Sequence, residues 1–444
     1  MDFISTISKP DLCEIRDLQA KSNLEPVRLN GCIHSIRNMG EFSFILIRKG
    51  DGLVQCVLEE KNAPCNAKEL KEGMCIELEG ILNLDERAPH GFEVRISKLH
   101  ILSSPKEGSR FPLPISKWKM NASLEAKLTY RPVSLRNVRE RAIFKIQEGI
   151  VRAFRDFLYS QGFTEIRTPK IVAGNAEGGA NVFKLEYFNK KAFLAQSPQF
   201  YKQTMVGVYD RVFETGPVFR AEKHNTCRHL NEYTSLDFEM GYIDGFEEIM
   251  EMETQLLKFI FDFLQEKYAA QLKLLDVKLP VIDRIPLVRF DKAKQLISEK
   301  YGYKVRDPYD LQPEEEQLIG RYFKEEFNSD FVFVTHYPSR NRPFYTMDDP
   351  QDARFTLSFD LLFKGMEVTT GGQRIHDYEM QVAKMLARGM NPDDFNHFLI
   401  IHKHGMPPHG GLGIGLERFT MKLLDLANVR EATMFPRDVS RLEP

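Results

Sequence analysis

The segment from Phe213 to Tyr242, FETGPVFRAEKHNTCRHLNEYTSLDFEMGY, puts Arg220 and Glu222 at the end of an apolar strand. A basic loop follows, with Lys223, His224, Arg228 and His229, and then a second strand ending in the acids Asp237 and Glu239. Alternate residues of a strand share a face, so Arg220 and Glu222 point the same way. A guanidinium held in this way can grip a phosphate through two parallel hydrogen bonds. Strand, cationic loop and strand together predict a β-hairpin that holds a nucleoside triphosphate in a bent shape. Taken alone, the Arg220–Glu222 pair reads equally well as a surface salt bridge. The chain has no GxxxxGK[ST] loop, so a phosphate cradle of that kind is excluded.

Further stretches can complete such a site. GLGIGLERF (411–419) is a glycine-rich strand that runs into Glu417 and Arg418 before a helix. Glycines let a ligand approach the backbone, and Arg418 can meet a terminal phosphate. EVTTGGQRIH (367–376) sets Glu367, Thr370 and Arg374 on one strand. A carboxylate beside a hydroxyl can hold magnesium through oxygen, and Arg374 suits an anionic side chain on a small substrate. QSPQFYKQ (196–203) gathers Gln196, Gln199 and Lys202 in one strand-to-helix turn, and AEGGA (176–180) carries Glu177 in a glycine loop. Each is also an ordinary structural feature on its own: packing glycines, a polar strand edge, a turn.

Residues 27–102 read as five strands, at 27–37, 41–49, 52–60, 74–84 and 91–102, with a short polar helix near 66–72. Five short strands with a helix after the third predict an OB-fold barrel, a fold that often binds oligonucleotides on strands two and three. Phe42 and Phe44 alternate on the second strand, with Arg37 and Gln55 on its neighbours. Such a surface can stack and read single-stranded bases, although barrel phenylalanines are commonly core. A proline-bearing hinge is expected at 105–135. A helix follows at about 137–161, then the strand FTEIRTPKIV, whose Pro169 argues for an edge or a bulge. From there to the C-terminus helices mix with mostly antiparallel strands, and 270–330 reads as an acidic, loop-rich insertion. The fold class is therefore α+β and not doubly wound: an N-terminal domain over 1–104, the hinge, and a larger domain over 136–444.

The 444 residues are 42% apolar, enough for a proper core, and the net charge of −2 leaves nucleic-acid binding to local basic surfaces. The N-terminal MDFISTISKPDLCEIRDL predicts no signal peptide, and no apolar run approaches a membrane span. The six cysteines form no CxxC pair, which fits reduced thiols in the cytoplasm better than a zinc site.

Together these stretches resemble the class II aminoacyl-tRNA synthetases, and within them the aspartyl-tRNA synthetases of archaeal and eukaryotic type. The helix plus GFTEIRTPKI resembles the first class II motif, which forms the dimer interface. FETGPVFRAEKHNTCRHLNEY resembles the second and GLGIGLERF the third, and FPRD (435–438) also matches. The resemblance implies that aspartate attacks the α-phosphate of ATP, and that a tRNA ribose hydroxyl then attacks the aspartyl-adenylate. Neither step requires a protein nucleophile, so catalysis is positioning and charge neutralisation. By motif position the catalytic residues are Arg220, Glu222 and Arg418. Arg220 would contact the α-phosphate and Arg418 the γ-phosphate. Ala221, Glu222, Arg228, His229, Leu230, Gly415, Leu416 and Glu417 would surround the rest of the nucleotide. Glu367 and Thr370 would hold Mg2+; serine is usual at the position of Thr370. Lys202 and Arg374 would face the aspartate side chain with Gln199 nearby. Glu177 and Asp237 would answer its amine, with Gln196, Ser197 and Pro198 completing the pocket.

The same resemblance puts Arg37, Phe44, Gln55 and Glu93 on anticodon-reading positions. Enzymes strict for tRNA(Asp) usually carry tryptophan and lysine where this chain has His34 and Pro89. The His–Pro pair resembles relaxed enzymes that also charge tRNA(Asn), whose mischarged product would need a separate amidotransferase. Readings left open are an enzyme strict for tRNA(Asp), an asparaginyl-tRNA synthetase, a non-charging paralogue, and a barrel-less type of asparagine synthesis. Expected partners are tRNA(Asp), tRNA(Asn), ATP, L-aspartate and a second copy of the chain, with no membrane.

Overall fold

In the FSFILIR run of the second strand, Ser43, Ile45 and Ile47 are buried while Phe42, Phe44 and Leu46 are half-buried. This period-two pattern fixes which face turns inward. A computed structural model describes residues 12–50, 52–62, 64–174, 181–224 and 226–443; the expected aspartate ligand Glu177 lies outside them. The chain divides into two compact units, Met1–Val138 and Arg139–Pro444.

In the first unit, strands β1 (Pro26–Asn38), β2 (Phe42–Arg48), β3 (Leu53–Glu59), β4 (Cys75–Leu84) and β5 (Phe92–Ser103) close into a barrel of order β1-β2-β3-β5-β4. Each begins and ends within two residues of the expected strand. The polar helix expected between β3 and β4 is a single 3-10 turn, Ala67–Glu69. The barrel core is aliphatic, with Leu29, Ile45, Ile47, Cys56, Ile76, Leu82 and Val94 all buried. Residues 105–135, expected as a proline-bearing hinge, build their own small cluster. Leu113, Ile115 and Met120 pack there beside the helices Leu124–Thr129 and Arg131–Ser134.

In the second unit, Pro169 splits the expected strand in two. β6 (Thr164–Glu165) joins the main sheet, and β7 (Ile171–Val172) pairs in a small sheet with β9 (Lys190–Leu194), which pairs in turn with β8 (Lys184–Tyr187). The main sheet adds β10 (Arg211–Phe219), β11 (Glu232–Gly241), β12 (Leu287–Arg289) and β13 (Phe331–Thr335). A two-residue β14 (Asp348–Asp349) and β15 (Asp352–Thr356) form a side hairpin. β16 (Ser358–Phe363), β17 (Met366–Arg374) and β18 (His409–Gly415) complete the sheet. Its order is β12-β13-β16-β17-β18-β11-β10-β6, antiparallel except for the parallel pairs at its two ends.

The helices Val138–Ser160 and Glu247–Lys267 meet at Gly149, where an added Cβ would fall 2.6 Å from Leu264. The region expected to be loop-rich is largely regular. It supplies β12 and the helices Phe290–Tyr301 and Pro313–Phe327, which share a core of Phe290, Ile297, Ile319 and Phe323. Its acids misled the composition argument: Glu315 and Glu316 are buried, and Glu315 pairs with buried Lys294.

Candidate active site

β10 ends at Phe219, so Arg220 and Glu222 lie just beyond the strand rather than within it. Buried Asn231 holds this extension by donating to the Arg220 carbonyl (2.7 Å) and the Glu222 carbonyl (3.0 Å). Alternation continues past the strand end. Arg220 and Glu222 line a polar cavity of about 670 Å³, while Ala221 lies on a second, more apolar cavity with Phe219 and Lys223, which Glu222 also borders. The expected nucleotide contact Ala221 is therefore not in the polar cavity; neither are Pro198, which caps the helix Gln199–Tyr209, and buried Leu416.

The polar cavity brings together Gln196, Ser197, Gln199, Lys202, Arg228, His229, Leu230, Asp237, Glu367, Thr370, Arg374, Gly415, Glu417 and Arg418. Lys202 and Arg374 thus face the same space as Arg220. They do so through Glu239, an acid visible in the sequence but given no role there, one strand period from Asp237. The Lys202 Nζ lies 2.9 Å from Asp237 Oδ1 and 3.2 Å from Glu239 Oε2. It also donates to the Leu412 carbonyl at 2.9 Å. Arg374 Nε donates to Glu239 Oε1 at 2.8 Å, and its Nη2 to the Gly411 carbonyl at 3.0 Å. Gly411 makes the arrangement possible, because a Cβ there would sit 2.4 Å from Glu239 Oε2. Burial pushes the Glu239 carboxyl up, but Arg374 and then Lys202 more than offset this and hold it below its usual range. The result is a buried quartet of two cations and two acids, rather than the bare pair of cations expected from the sequence.

At the other end of the cavity, a bulge places the acid and hydroxyl. Leu361 opposes Thr369 and Leu362 opposes Glu367, so Val368 is an extra residue in β17. Residues three apart in a regular strand face opposite ways; the bulge turns Glu367 and Thr370 to the same side. The Thr370 hydroxyl donates to Glu367 Oε1 at 3.0 Å. Burial raises the Glu367 carboxyl, but Arg418 foremost, with Thr370 and Arg342, holds it below its usual range. Asp360 stands opposite Thr370 on β16 and pairs with Arg342 at 2.7 Å; burial pushes it up to about 6.

Arg418 Nε donates to the Arg228 carbonyl at 3.2 Å, and its Nη1 lies 3.9 Å from Glu367 Oε2. Arg228 in turn pairs with Glu316 at 2.6 Å, and the same Glu316 oxygen accepts the Glu367 backbone N–H at 3.0 Å. Burial pushes Glu316 up to about 7. Glu417 turns back to accept the Thr234 N–H, and burial lifts it to about 7 as well. Asp360, Arg342 and Glu316 escaped sequence reading. No local motif marks them: Asp360 and Arg342 line the cavity only once β16 is in place, and Glu316 braces Arg228 and Glu367 from the helix Pro313–Phe327. The glycine-softened strands and cationic hairpin did carry a local signal.

On the barrel, Arg37 and Phe44 are direct cross-strand partners, and Phe42 meets Phe44 edge-on at 5.1 Å. Arg37 is exposed and Phe44 half-buried on the outer face, so Phe44 is not a core residue. Gln55 and Asn83 donate to the two oxygens of Glu93 at 3.1 and 3.2 Å. Pro89 is exposed at a 3-10 turn. His34 is only 1% exposed, at an irregularity between β1 and β2. The side chain of residue 34 therefore lies within the barrel and not on its outer face.

A two-domain architecture of OB barrel and antiparallel sheet, the sheet carrying a polar cavity lined by Arg220, Arg228, Arg374 and Arg418 with Asp237 and Glu367, is that of a tRNA-charging enzyme. Residues 123–439 match the tRNA synthetases class II (D, K and N), and residues 27–102 match the OB-fold nucleic acid binding domain. The chain belongs to this class II synthetase family and is an aminoacyl-tRNA ligase. It is 45% identical to the aspartate–tRNA(Asp/Asn) ligase of Deinococcus radiodurans, over 95% of this chain and 96% of that protein. Identity is 44% to the protein of the same name from Thermus thermophilus, over 97% and 99%. It is 39% to the aspartate–tRNA(Asp) ligase of Pyrococcus abyssi, over 96% and 98%. Among solved structures, the asparaginyl-tRNA synthetase of Pyrococcus horikoshii with asparaginyl-adenylate superposes with a TM-score of 0.89 at 32% identity, covering 98% of this chain and 100% of that one. The aspartyl-tRNA synthetase of Entamoeba histolytica gives 0.87 at 29%, covering 99% and 95%.

Proposed function

We propose that the protein activates L-aspartate with ATP and transfers it to tRNA(Asp) and also to tRNA(Asn). The observation that carries the amino-acid choice is the Lys202–Asp237–Glu239–Arg374 quartet, whose Lys202, Asp237 and Arg374 line the cavity that also holds Arg220 and Arg418. Two buried cations suit a side-chain carboxylate, and Asp237 suits the α-amine. A lysine-activating pocket would need an acid where Arg374 stands.

Arg220 orients the α-phosphate and the attacking carboxylate, so the two reacting groups meet without a protein nucleophile. Arg418 and Arg228 neutralise the outer phosphates as pyrophosphate leaves. Class II synthetases depend in general on ATP and a divalent metal, and hard oxygen donors fit magnesium here. Glu367 and Thr370 would hold it, with Asp360 on the neighbouring strand. Among the described residues no three His, Cys, Asp or Glu side chains converge as a metal site, so phosphate oxygens and water would complete the shell. When bound, the ion would spread the negative charge of the phosphates.

Breadth toward tRNA(Asn) is supported by the His34–Pro89 pair and by the relatives whose names include both tRNAs. Arg37, Phe44, Gln55 and Glu93 would read the anticodon. The reading includes a homodimer, an amidotransferase that converts the mischarged product, and a cytoplasmic setting in keeping with six free thiols. No helix among the described residues is long and apolar enough to cross a membrane.

The test is aspartate-dependent ATP–pyrophosphate exchange, followed by charging of the two tRNAs side by side. Efficiency on tRNA(Asn) should fall within about a hundredfold of that on tRNA(Asp). A gap of thousands-fold, roughly 4 kcal/mol, restricts the enzyme to tRNA(Asp). Asparagine-dependent exchange exceeding the aspartate rate would favour the asparaginyl reading instead.

A further inference from the structure

The β8–β9 hairpin ends in residues that the active site does not use. At its tip, Phe188 adopts a φ of 53° and is 89% exposed. A bulky side chain at positive φ is strained, and hairpin turns normally give such positions to Gly, Asn or Asp. The neighbouring Tyr187 is exposed too and meets Phe188 edge-on at 5.0 Å. Strain and exposure together are unexpected for a ring that serves only the fold. The hairpin also carries Lys184, Lys190 and Lys191, all exposed, against the single acid Glu186. Glu186 lies across from Lys191, and Tyr187 across from Lys190. Aromatic faces set among ammonium groups suit a nucleic acid: bases or sugars lie on the rings and phosphates meet the cations.

The base of the hairpin is tied to the active site. Leu194 N–H donates to the Phe183 carbonyl at 3.0 Å, closing the hairpin. Ala221 N–H donates to the Asn181 carbonyl at 3.0 Å, and Phe219 N–H to the Ala195 carbonyl at 2.9 Å. These bonds root it on the strand end that carries Arg220. The extended chain from Asn181 to Phe188 spans about 23 Å at roughly 3.3 Å per residue. The tip can therefore stand up to that distance from the bond that ties Asn181 to Ala221.

We propose that the Tyr187–Phe188 tip and its lysines form a contact surface for the acceptor arm of the tRNA. It rests on the ligase reading above and adds to it a contact separate from the barrel and the basic loop. The lysines meet backbone phosphates, and Phe188 lies against a base face where the paired stem gives way to the 3′ single strand.

The experiment uses the full chain with Phe188→Gly, and separately with Lys190→Glu plus Lys191→Glu. Filter binding of a tRNA(Asp) transcript gives Kd across a salt series, and aspartate-dependent pyrophosphate exchange without tRNA gives the activation step. Phe188→Gly should weaken tRNA binding about tenfold, the usual scale of one lost stacking contact. Its melting temperature should not fall, because glycine accepts the positive φ. The charge-reversed variant should bind about tenfold more weakly and show a shallower salt dependence. Exchange should be unchanged in both. Transcript affinity within twofold of the unaltered protein in both variants overturns the proposal. So does a fall in melting temperature or in sedimentation mass without loss of tRNA affinity, which would give the tip to packing or self-association. Absence of exchange in the unaltered protein counts against the ligase reading, while the binding arm still decides the hairpin.

Discussion

Replacing Lys202 by methionine tests the amino-acid pocket most directly. The ammonium is 2% exposed and stands 2.9 Å from Asp237 and 3.2 Å from Glu239. At an effective dielectric of about 20, each contact is worth roughly 5 kcal/mol before desolvation is counted. Removing one member of a buried charge cluster leaves the others uncompensated, and the folded state should lose about 3–5 kcal/mol. Methionine keeps the length of the stem, so the change is one of charge more than of volume. A lost charge-assisted hydrogen bond of roughly 1.5–3 kcal/mol to the substrate carboxylate lowers kcat/KM for aspartate by about 10- to 150-fold. Asparagine, with a neutral amide at the same place, should lose less, so the aspartate-to-asparagine ratio falls. The assay is pyrophosphate exchange with each amino acid in turn, beside a urea melt that shows how much protein is folded. If folded variant loses both amino acids equally, or loses less than about threefold for aspartate, the ammonium does not face the side chain and the pocket assignment fails.

Two other outcomes follow from the buried acids and the bulged strand. Glu253 is buried behind β17, where it accepts the Thr369 hydroxyl at 2.6 Å, and burial pushes its carboxyl up to about 8. A raised acid contributes stability that is complete below its unfolded pKa near 4.5 and is lost as pH climbs through 8. From pH 6 to 8.5 the natural protein should therefore lose on the order of 2 kcal/mol relative to Glu253→Gln, read by urea unfolding at the two pH values; parallel pH profiles would refute this. Thr370→Val should raise the magnesium concentration needed for half-maximal exchange by about tenfold and Thr370→Ser should not, since only the hydroxyl donates to Glu367.

The barrel was legible because its strands alternate cleanly. Ser43, Ile45 and Ile47 turn in, Phe42 and Phe44 turn out, and glycine-bearing turns punctuate the ends. The lining of the polar cavity was legible where polar side chains are concentrated in short stretches, as at Arg220–Glu222 and Glu417–Arg418. The role of Glu239 was not. Its value depends on two cations from helix Gln199–Tyr209 and β17, which the sequence separates by more than a hundred residues. Helix Pro313–Phe327 was hidden for a different reason. Its PEEEQ start looks solvated, yet Glu315 and Glu316 are satisfied internally by Lys294 and Arg228. Composition counts charges and cannot tell which of them meet an opposite charge inside. Residue 34 shows the converse limit, since a polar residue on a nucleic-acid-binding barrel need not reach its surface.

The unpaired Val368 lets β17 carry Glu367 and Thr370 three apart in sequence yet on one face. Deleting that one residue would leave them two apart, the spacing at which a regular strand already puts both on one face, so the Glu367–Thr370 hydrogen bond should outlast the bulge. What the deletion would remove is the extra local twist that a bulge adds, so a loss of activity in a folded Val368 deletion would report the aim of the pair rather than its chemistry.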